Sequence, residues 1–133
     1  FDLLNYLFGS SKILYADSRK LSNLNIETDD YLLTCGKLET GTPFNIELNY
    51  FSRFNSREIF VETSKESIKL DLTNSILTVI ADTAKISEYE IDNSDSYRAM
   101  HKAIISGDSE KVCTIEEAML VLEQIKQIEN LSL

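Results

Sequence analysis

Alternating apolar and polar residues predict β-sheet in the middle of the chain. Three successive runs between Pro43 and Leu72 follow this pattern, and the first has its apolar positions at Phe44, Ile46, Leu48 and Tyr50. Because a strand points neighbouring side chains to opposite faces, each run predicts a strand with one apolar and one polar face. Alternation this regular favours an antiparallel sheet with one face against a core.

Strands and turns extend on both sides of this region. The pattern predicts strands at 12–18, 31–39, 43–50, 58–63, 68–72 and 75–83. The segment 19–27 is polar and rich in Asn, which predicts a surface loop. Gly41 indicates a turn, and Pro43 opens a strand at the position where its missing N–H does least harm.

Helical spacing appears at both ends of the chain. Residues 2–8 are apolar at helical positions and Gly9 follows them, which is typical of a helix end. Seven residues are too few for a helix that is stable alone. We therefore expect residues 1–9 to be the end of a helix that continues from a missing N-terminal region.

Two further helices are predicted after the last strand. Residues 93–105 carry Tyr97, Met100, Ile104 and Ile105 at helical spacing, and Gly107 stops them. Thr114 and Glu117 form a capping box at the start of the final helix. This helix has a broad apolar stripe at Ile115, Ala118, Met119, Leu122, Ile125 and Ile128. The width of the stripe predicts burial against the sheet.

Strands first and helices last predict the α+β class. We expect one domain, residues 1–133, with an open-faced, mainly antiparallel sheet, helices packed on one face and no Rossmann domain. The open face would carry Asn45, Glu47, Asn49, Glu58, Phe60, Glu62, Lys69 and Asp71. Phe51 and Phe60 among these charges suggest a partner, and a sheet face is self-complementary about a two-fold axis. A dimer or tetramer is the expectation.

Composition narrows the possible partners and location. The chain has 22 acidic residues against 13 Lys and Arg, a net charge of −9. We therefore expect binding to neither nucleic acid nor anionic membranes. Since no apolar run approaches the roughly 18 residues of a membrane span and no leader pattern is present, the expected location is the cytoplasm.

Catalytic chemistry is not evident in these residues. The four glycines form no phosphate-binding loop. His101 is the only histidine, and Cys35 and Cys113 are far apart, so we expect neither a catalytic base nor a metal site. Arg53 and Arg57 have two interpretations: ion pairs with Glu58 or Glu62, or a clamp for a polar ligand.

Three stretches carry a resemblance to a known family. DLLNYLFG at 2–9 resembles a helix that follows an active-site histidine, and REIFVETSKESIKLD at 57–71 resembles a hairpin with an Arg, a turn and a final Asp. Residues 94–107 followed by TIEEA at 114–118 resemble the closing helices. On these stretches the chain resembles the C-terminal domain of the Gfo/Idh/MocA oxidoreductases, although the hairpin turn lacks that family's usual glycines.

The resemblance implies a substrate-binding and oligomerisation domain of a nicotinamide-dependent oxidoreductase. The substrate would be a sugar, sugar nucleotide or cyclitol hydroxyl. NAD or NADP would bind to a missing N-terminal dinucleotide-binding domain, and the family's catalytic lysine and histidine would also lie outside this chain. No catalytic, cofactor-binding or metal residue is therefore expected in this fragment. The residues expected near the substrate are Asp2, Tyr50, Arg53 and Arg57.

Two other functions compete with the oxidoreductase. One is a non-enzymatic, self-associating module that uses the open sheet face. The other is a small-ligand binder with helices folded over a curved sheet. The absence of a cluster of convergent polar residues in the sequence weighs against the ligand binder.

Overall fold

The fold is of the α+β class, as predicted. The computed structural model describes residues 1–89, 93–108 and 112–132. The helices among these residues are α1 (Asp2–Phe8), α2 (Asn93–Ser106) and α3 (Ile115–Leu131). The strands are β1 (Ser11–Arg19), β2 (Tyr31–Leu38), β3 (Pro43–Asn49), β4 (Glu58–Glu62), β5 (Ser67–Asp71), β6 (Ile76–Ile80) and β7 (Ala84–Glu88). β7 was not expected, because the sequence pattern placed one strand at 75–83.

The described strands pair antiparallel in two sheets, where the sequence suggested one. The first sheet has the order β1-β2-β3 and the second the order β4-β5-β6-β7. The chain divides correspondingly into a first unit, residues 1–52 with 112–132, and a second unit, residues 53–89 with 93–108. Alternation shows which residues of a strand share a face, but not which strands pair, so it could not separate the two sheets.

A β-bulge in β1 determines which side chains of the first sheet face α3. Ile13 pairs with Gly36 and Tyr15 with Cys35, so Leu14 is the extra residue. One extra residue reverses the alternation, and Ile13 and Ala16 therefore share a face despite their odd spacing. This face packs against α3, and the resulting core consists of Ile13, Ala16 and Ile128, with Phe1 and Leu32 against them.

Gly36 leaves room for an aromatic ring on the same face. A Cβ at Gly36 would lie 2.8 Å from two ring atoms of Phe44 and 2.2 Å from the carbonyl oxygen of Lys12. Phe44 and Gly36 are direct cross-strand partners. The glycine therefore allows the ring to lie directly over the backbone of β2.

The apolar side of β3 is covered only in part. Phe44 and Ile46 are half-buried, as expected, but Leu48 and Tyr50 are 57% and 73% exposed, which corrects the prediction for these two residues. The reason is the position of α3, which packs on β1, whereas β3 is the opposite edge of the sheet.

The predicted apolar stripe of α3 is not the side that packs on the sheet. Ile128 is buried, but the other stripe residues, Ile115, Ala118, Met119, Leu122 and Ile125, are exposed. The packed side is instead centred on Gln124, which is 1% exposed. Gln124 exchanges two hydrogen bonds with Asn5 of α1, of 2.9 and 3.1 Å, and donates to Ser11 Oγ at 2.8 Å. A polar residue can occupy this buried position because its hydrogen bonds are satisfied.

Both ends of α3 are fixed by hydrogen bonds. The predicted capping box is confirmed: Glu117 N donates to Thr114 Oγ1 at 3.2 Å, and Thr114 N donates to Glu117 Oε2 at 2.7 Å. These N–H and hydroxyl donors of Thr114 lower the pKa of Glu117. At the other end, Ser18 N of β1 donates to Ser132 Oγ at 3.2 Å.

The second sheet confirms the predicted alternation of β4 and β5. Ile59 pairs with Leu70 and Val61 with Ile68, and all four side chains are half-buried. The opposite face carries Phe60, Lys69, Thr78 and Ile86, which are joined by the pairings Phe60 with Lys69 and Thr78 with both Lys69 and Ile86. The opposite face therefore mixes apolar and polar side chains.

The apolar face predicted for α2 is exposed. Tyr97, Met100, Ile104 and Ile105 are between 39% and 86% exposed, and Ala103 is the buried residue of this helix among those described. Helical spacing predicted the helix correctly, but it did not predict which side is covered.

Candidate functional site

The connection between β1 and β2 is held by a buried carboxylate. Asp30 is 1% exposed and accepts hydrogen bonds from Lys20 Nζ at 2.8 Å, Leu21 N at 2.7 Å and Ser22 N at 3.1 Å. The hydroxyl of Ser22 also donates to it. Lys20 Nζ donates in addition to the carbonyl of Leu24 at 2.8 Å. The Asp30 side chain, together with Lys20, thus fixes residues 20–24, the first half of this loop, by hydrogen bonds.

The carboxylate of Asp30 is ionised in this environment. Burial alone would raise its pKa, but the hydrogen bonds from Lys20, Ser22 and the backbone N–H groups outweigh burial and hold the pKa well below its usual range. Its negative charge is therefore compensated by Lys20. The hydrogen bonds and the ion pair make Asp30 a structural residue, and its carboxylate is not available as a catalytic base.

The backbone of Asp30 joins the loop to the ends of two strands. Asp30 N donates to the carbonyl of Arg19 at 3.2 Å, at the end of β1. Its carbonyl accepts a 3.0 Å hydrogen bond from Tyr50 N, immediately after β3. The loop and Tyr50 are therefore fixed to the same residue.

A groove of about 570 Å³ lies between this loop and Tyr50. It is open to solvent and lined by Leu24, Asn25, Ile26, Thr28 and Tyr50. All five lining side chains are exposed, so the groove is a shallow surface rather than an enclosed cavity. The lining has no charge, and it offers an aromatic ring and two aliphatic side chains beside an amide and hydroxyls. Such a surface can hold a neutral, hydroxyl-bearing ligand, but it has no group suited to removing a proton.

An aromatic pair supports the segment after Tyr50. The rings of Tyr31 and Phe51 are stacked, with centroids 6.4 Å apart and an interplanar angle of 22°. Ser52 N donates to Asn49 Oδ1 at 2.8 Å, which tightens the turn that leaves β3. Phe51, expected on the basis of sequence to contact a partner, thus has an intramolecular contact as well.

The residues expected near a substrate lie in different parts of the chain. Tyr50 lines the groove. Asp2 is exposed at the first turn of α1, in the same unit, and is not a lining residue of the groove. Arg53 and Arg57 are exposed in the second unit. The structure therefore places Tyr50 beside the connection between β1 and β2, where the sequence predicts only a surface loop.

The ion pairs considered for Arg53 and Arg57 are not formed within the described residues. Glu58 pairs instead with Lys69 at 2.7 Å, and Glu62 accepts a hydrogen bond from Ser67. Both guanidinium groups are thus free of side-chain partners in the part of the chain that the structure describes.

The role of the Lys20–Asp30 loop was missed because its composition resembles that of an ordinary surface loop. Asp29 and Asp30 are adjacent, but Asp29 accepts a hydrogen bond from Ser18 Oγ whereas Asp30 turns inward. The available signals were a lysine and a serine ten and eight residues before Asp30, and apolar residues at Leu21, Leu24 and Ile26 within a polar segment.

The histidine and the two cysteines were the other residues considered for a catalytic or metal site. His101 and Cys113 are exposed, and Cys35 is half-buried in β2. Among the residues described, no three His, Cys, Asp or Glu side chains cluster in a way that could hold a metal ion. Within residues 1–89, 93–108 and 112–132, no helix has both the length and the apolar character needed to cross a bilayer.

Comparison with known proteins identifies the fold. No family model and no curated protein sequence matches the chain. A super-repressor mutant of Gal80p from Saccharomyces cerevisiae matches over 98% of this chain and 45% of its own, with a TM-score of 0.67 and 15% identity. UDP-N-acetylglucosamine 3-dehydrogenase GnnA from Acidithiobacillus ferrooxidans matches over 80% and 35%, with a TM-score of 0.64 and 15% identity.

A third solved structure includes a cofactor. It is an oxidoreductase from Agrobacterium radiobacter in complex with NAD+, L-tartaric acid and magnesium. It covers 68% of this chain and 28% of its own, with a TM-score of 0.59 and 18% identity. These structures are of the Gfo/Idh/MocA type, and the resemblance to the C-terminal domain of that family is confirmed at the level of the fold. The chain spans 28 to 45% of the length of these three solved chains.

Proposed function

We propose that this chain is the substrate-binding and oligomerisation domain of a nicotinamide-dependent oxidoreductase that acts on a sugar, sugar nucleotide or cyclitol hydroxyl. The observation that carries this proposal is the shared fold, which extends over 80% of this chain in GnnA and 68% in the NAD+ complex. A fold alone does not define a function. The proposal therefore also draws on the groove and on the exposed arginines.

The groove has the chemistry needed to hold a polyhydroxylated ring. Tyr50 offers a flat aromatic surface and a hydroxyl, and Asn25 and Thr28 offer hydrogen-bonding groups beside Leu24 and Ile26. Because its two sides are tied together through Asp30, the groove needs little reorganisation on binding. We assign Tyr50 to contact with the substrate.

Asp2, Arg53 and Arg57 are further candidates for substrate contact, as the resemblance implies. Asp2 follows the position at which the resemblance places the active-site histidine. Arg53 and Arg57 present guanidinium groups without side-chain partners among the described residues, which suits them to bind substrate hydroxyls or phosphates.

The nicotinamide cofactor would bind outside this chain. Gly9, Gly41 and Gly107 have positive φ angles at the ends of helices and in a turn, and Gly36 lies beneath Phe44. None of these glycines belongs to a phosphate-binding loop. The cofactor would accept or supply the hydride, while this domain holds the substrate carbon in position for transfer.

Self-association would use the exposed face of the second sheet. Phe60, Ile80 and Ile86 are 52% to 65% exposed on that face. Lys69 lies 5.4 Å from the centre of the Phe60 ring and also pairs with Glu58. An apolar patch with charges beside it is suited to a two-fold contact between copies.

Steady-state kinetics of the full-length protein would test the enzymatic role. With NAD or NADP and a panel of sugars, sugar nucleotides and cyclitols, we expect one class to be oxidised. Arg57→Ala and Tyr50→Ala should raise KM for that substrate, and Asp2→Ala should lower turnover beyond any loss of stability. Lys65→Ala, in the exposed β4–β5 turn, is the control. No turnover with any substrate and no nicotinamide binding would refute the proposal.

Light scattering would test the oligomerisation role separately. Phe60→Glu should reduce the mass of the assembly, and Thr40→Glu in the exposed β2–β3 turn should not. A monomeric parent protein at high concentration would contradict this part of the proposal.

A second candidate function is a non-enzymatic interaction module. The likeness to a super-repressor mutant of Gal80p favours it, because that name describes a repressor. The two functions differ in one measurement: the module would keep its assembly state while oxidising no substrate.

A further inference from the structure

β3 is an edge strand of the first sheet. Among the described strands it pairs with β2 alone. Two hydrogen bonds flank this pairing. The carbonyl of Thr42 accepts from Leu38 N at 2.9 Å, and Tyr50 N donates to the carbonyl of Asp30 at 3.0 Å. In an antiparallel pair only every second residue exchanges hydrogen bonds with its partner strand. Since Thr42 and Tyr50 both bond towards β2, the residues at 44, 46 and 48 do so as well.

The residues between these positions direct their backbone groups away from β2. The N–H and C=O groups of Asn45 and Glu47 therefore point to the open edge, where they have no hydrogen bond within the described residues. Pro43 belongs to the same set of positions, so its missing N–H costs the β2–β3 ladder nothing. The pairing of β3 with β2 has no register shift. A regular, unpaired edge of this kind is a template for another strand.

The opposite edge of the same sheet is protected, which makes β3 the edge available for pairing. β1 contains the β-bulge at Leu14, and a bulge interrupts a regular ladder. Ser18 N is bonded to Ser132 Oγ, and Asp17 and Arg19 form an ion pair on this strand. Bulges and charges are the usual protection of a sheet edge. β3 has no bulge, and Glu47 is its one charged side chain.

The sequence of β3 is nearly symmetric about Ile46, and this favours a second copy of the same strand as the partner. In an antiparallel pair with a two-fold axis at Ile46, Phe44 lies opposite Leu48 and Asn45 lies opposite Glu47. The first pair is apolar and would cover Leu48, which is 57% exposed. The second pair places an amide donor opposite a carboxylate, a favourable cross-strand combination.

The neighbouring registers fit less well. A two-fold axis at Glu47 would place the carboxylates of the two copies directly opposite each other, which is destabilising. An axis at Asn45 would place Leu48 opposite the turn that precedes β3 rather than opposite an apolar residue. The axis at Ile46 is therefore the register that matches both faces of the strand.

We propose that β3 pairs antiparallel with β3 of a second copy about a two-fold axis at Ile46, which joins two first sheets into one. The contact lies on a different sheet from the self-association surface proposed above and requires neither substrate nor cofactor. With both contacts present, the assembly would be a tetramer.

Disulfide formation in the full-length protein tests the register. Single cysteines are placed on β3 after both native cysteines are replaced by alanine. Under mild oxidation, Ile46→Cys should crosslink two copies about tenfold faster than Asn45→Cys or Glu47→Cys, because only a residue on the axis meets its own copy at about 4.5 Å between Cα atoms. Thr40→Cys, in the exposed β2–β3 turn, measures random collision. Crosslinking of Ile46→Cys no faster than that of any of the other three would overturn the proposal.

Charge variants test whether the contact depends on the pair of Asn45 and Glu47. Sedimentation of the Phe60→Glu protein, in which the second-sheet contact is removed, gives the dissociation constant. Asn45→Asp should raise this constant about tenfold, because the contact contains the pair twice and both copies then oppose two carboxylates. Adding Glu47→Gln should restore it. Asn49→Asp adds the same charge at the end of β3 and is the control. Equal effects of Asn45→Asp and Asn49→Asp, or no rescue, would contradict the pairing.

The two self-association proposals can fail separately. Crosslinking of Ile46→Cys together with an unchanged mass of Phe60→Glu refutes only the contact of the second sheet. A reduced mass of Phe60→Glu without that crosslink refutes only the β3 contact. Amide exchange at Asn45 and Glu47 should become faster on dilution, as the copies separate. Slow exchange that dilution leaves unchanged would place another segment of the same polypeptide on this edge and would also overturn the proposal.

Discussion

The two units differ in how deeply they bury side chains. The first unit contains the fully buried polar residues Asp30, Thr34 and Gln124, beside a core at Ile13, Ala16 and Ile128. In the second unit, Ala103 is the buried residue among those whose side chains are described. The described side chains of its sheet are half-buried or exposed, although the sequences of β4 and β5 alternate regularly.

This difference shows that a regular pattern and deep burial are separate properties. Alternation at Ile59, Val61, Ile68 and Leu70 reports which side chains share a face. How deeply a side chain is buried depends on which elements pack over its face. In the first unit, deep burial of polar groups also requires that their hydrogen bonds are satisfied. Thr34 illustrates this: it is fully buried, and its hydroxyl donates to the carbonyl of Tyr15 at 2.8 Å.

The largest effect is expected at Gln124. Gln124→Ala should lower the free energy of unfolding by about 3 kcal/mol, because it leaves a cavity and removes the partners of Asn5 and Ser11. Urea denaturation measures the change. Gln127→Ala, exposed on the same helix, is the control and should change it by less than about 0.5 kcal/mol. Equal effects would show that the first unit does not depend on its buried polar residues.

Acid sensitivity is the next test of the first unit. Since folding lowers the pKa of Asp30, its stabilising contribution is present above the unfolded-state value of about 3.9 and is lost as the pH falls through the lower folded-state value. The parent protein should therefore lose stability between about pH 4 and pH 2, and Asp30→Asn should show a shallower loss. Asp29→Asn, at the exposed neighbour, should keep the parent slope. Identical slopes for all three proteins would remove the anchoring role of Asp30.

The helix cap gives a smaller effect. Thr114→Ala should lower the free energy of unfolding by about 1 kcal/mol, because it breaks the reciprocal bonds with Glu117. Thr114→Ser should retain most of the stability. Equal losses in Thr114→Ser and Thr114→Ala, measured by urea denaturation, would contradict a role for the hydroxyl.

The smallest change is a gain in the second unit. Ser75 has a φ of 60°, a left-handed conformation that glycine adopts more easily. Ser75→Gly should raise the free energy of unfolding by about 0.5 kcal/mol, and Ser75→Ala, which keeps the Cβ, should not. If Ser75→Gly lowered the free energy of unfolding, the greater conformational entropy of glycine in the unfolded chain would outweigh the strain relieved in the folded state.

Local patterns were enough to predict most elements. The helices, six strands and the capping box at Thr114 follow from short-range spacing, which depends on backbone geometry alone. β7 was missed because AKISE is a short, half-polar run directly after the turn at 81–83. Pairing into two sheets depends on contacts between distant segments, and alternation contains no information about them.

Short-range sequence patterns predicted neither the side of α3 that packs on the sheet nor the groove. α3 has apolar residues on both sides. The wider stripe predicts the wrong side, because the structure buries the side around Gln124. The groove depends on the inward turn of Asp30, which brings the loop against Tyr50. Of the four residues expected near a substrate, Tyr50 lines this groove. The substrate contacts of all four residues, Asp2, Tyr50, Arg53 and Arg57, stay predictions.

The contact between Gly36 and Phe44 has a consequence for sequence divergence. With a Cβ at position 36, the aromatic ring at position 44 could not keep its place. Alanine at 36 should therefore be tolerated only together with a smaller side chain at 44 and a local shift of β1. Among relatives with this hairpin, we expect these two positions to vary in a correlated manner, with an aromatic residue at 44 accompanied by glycine at 36.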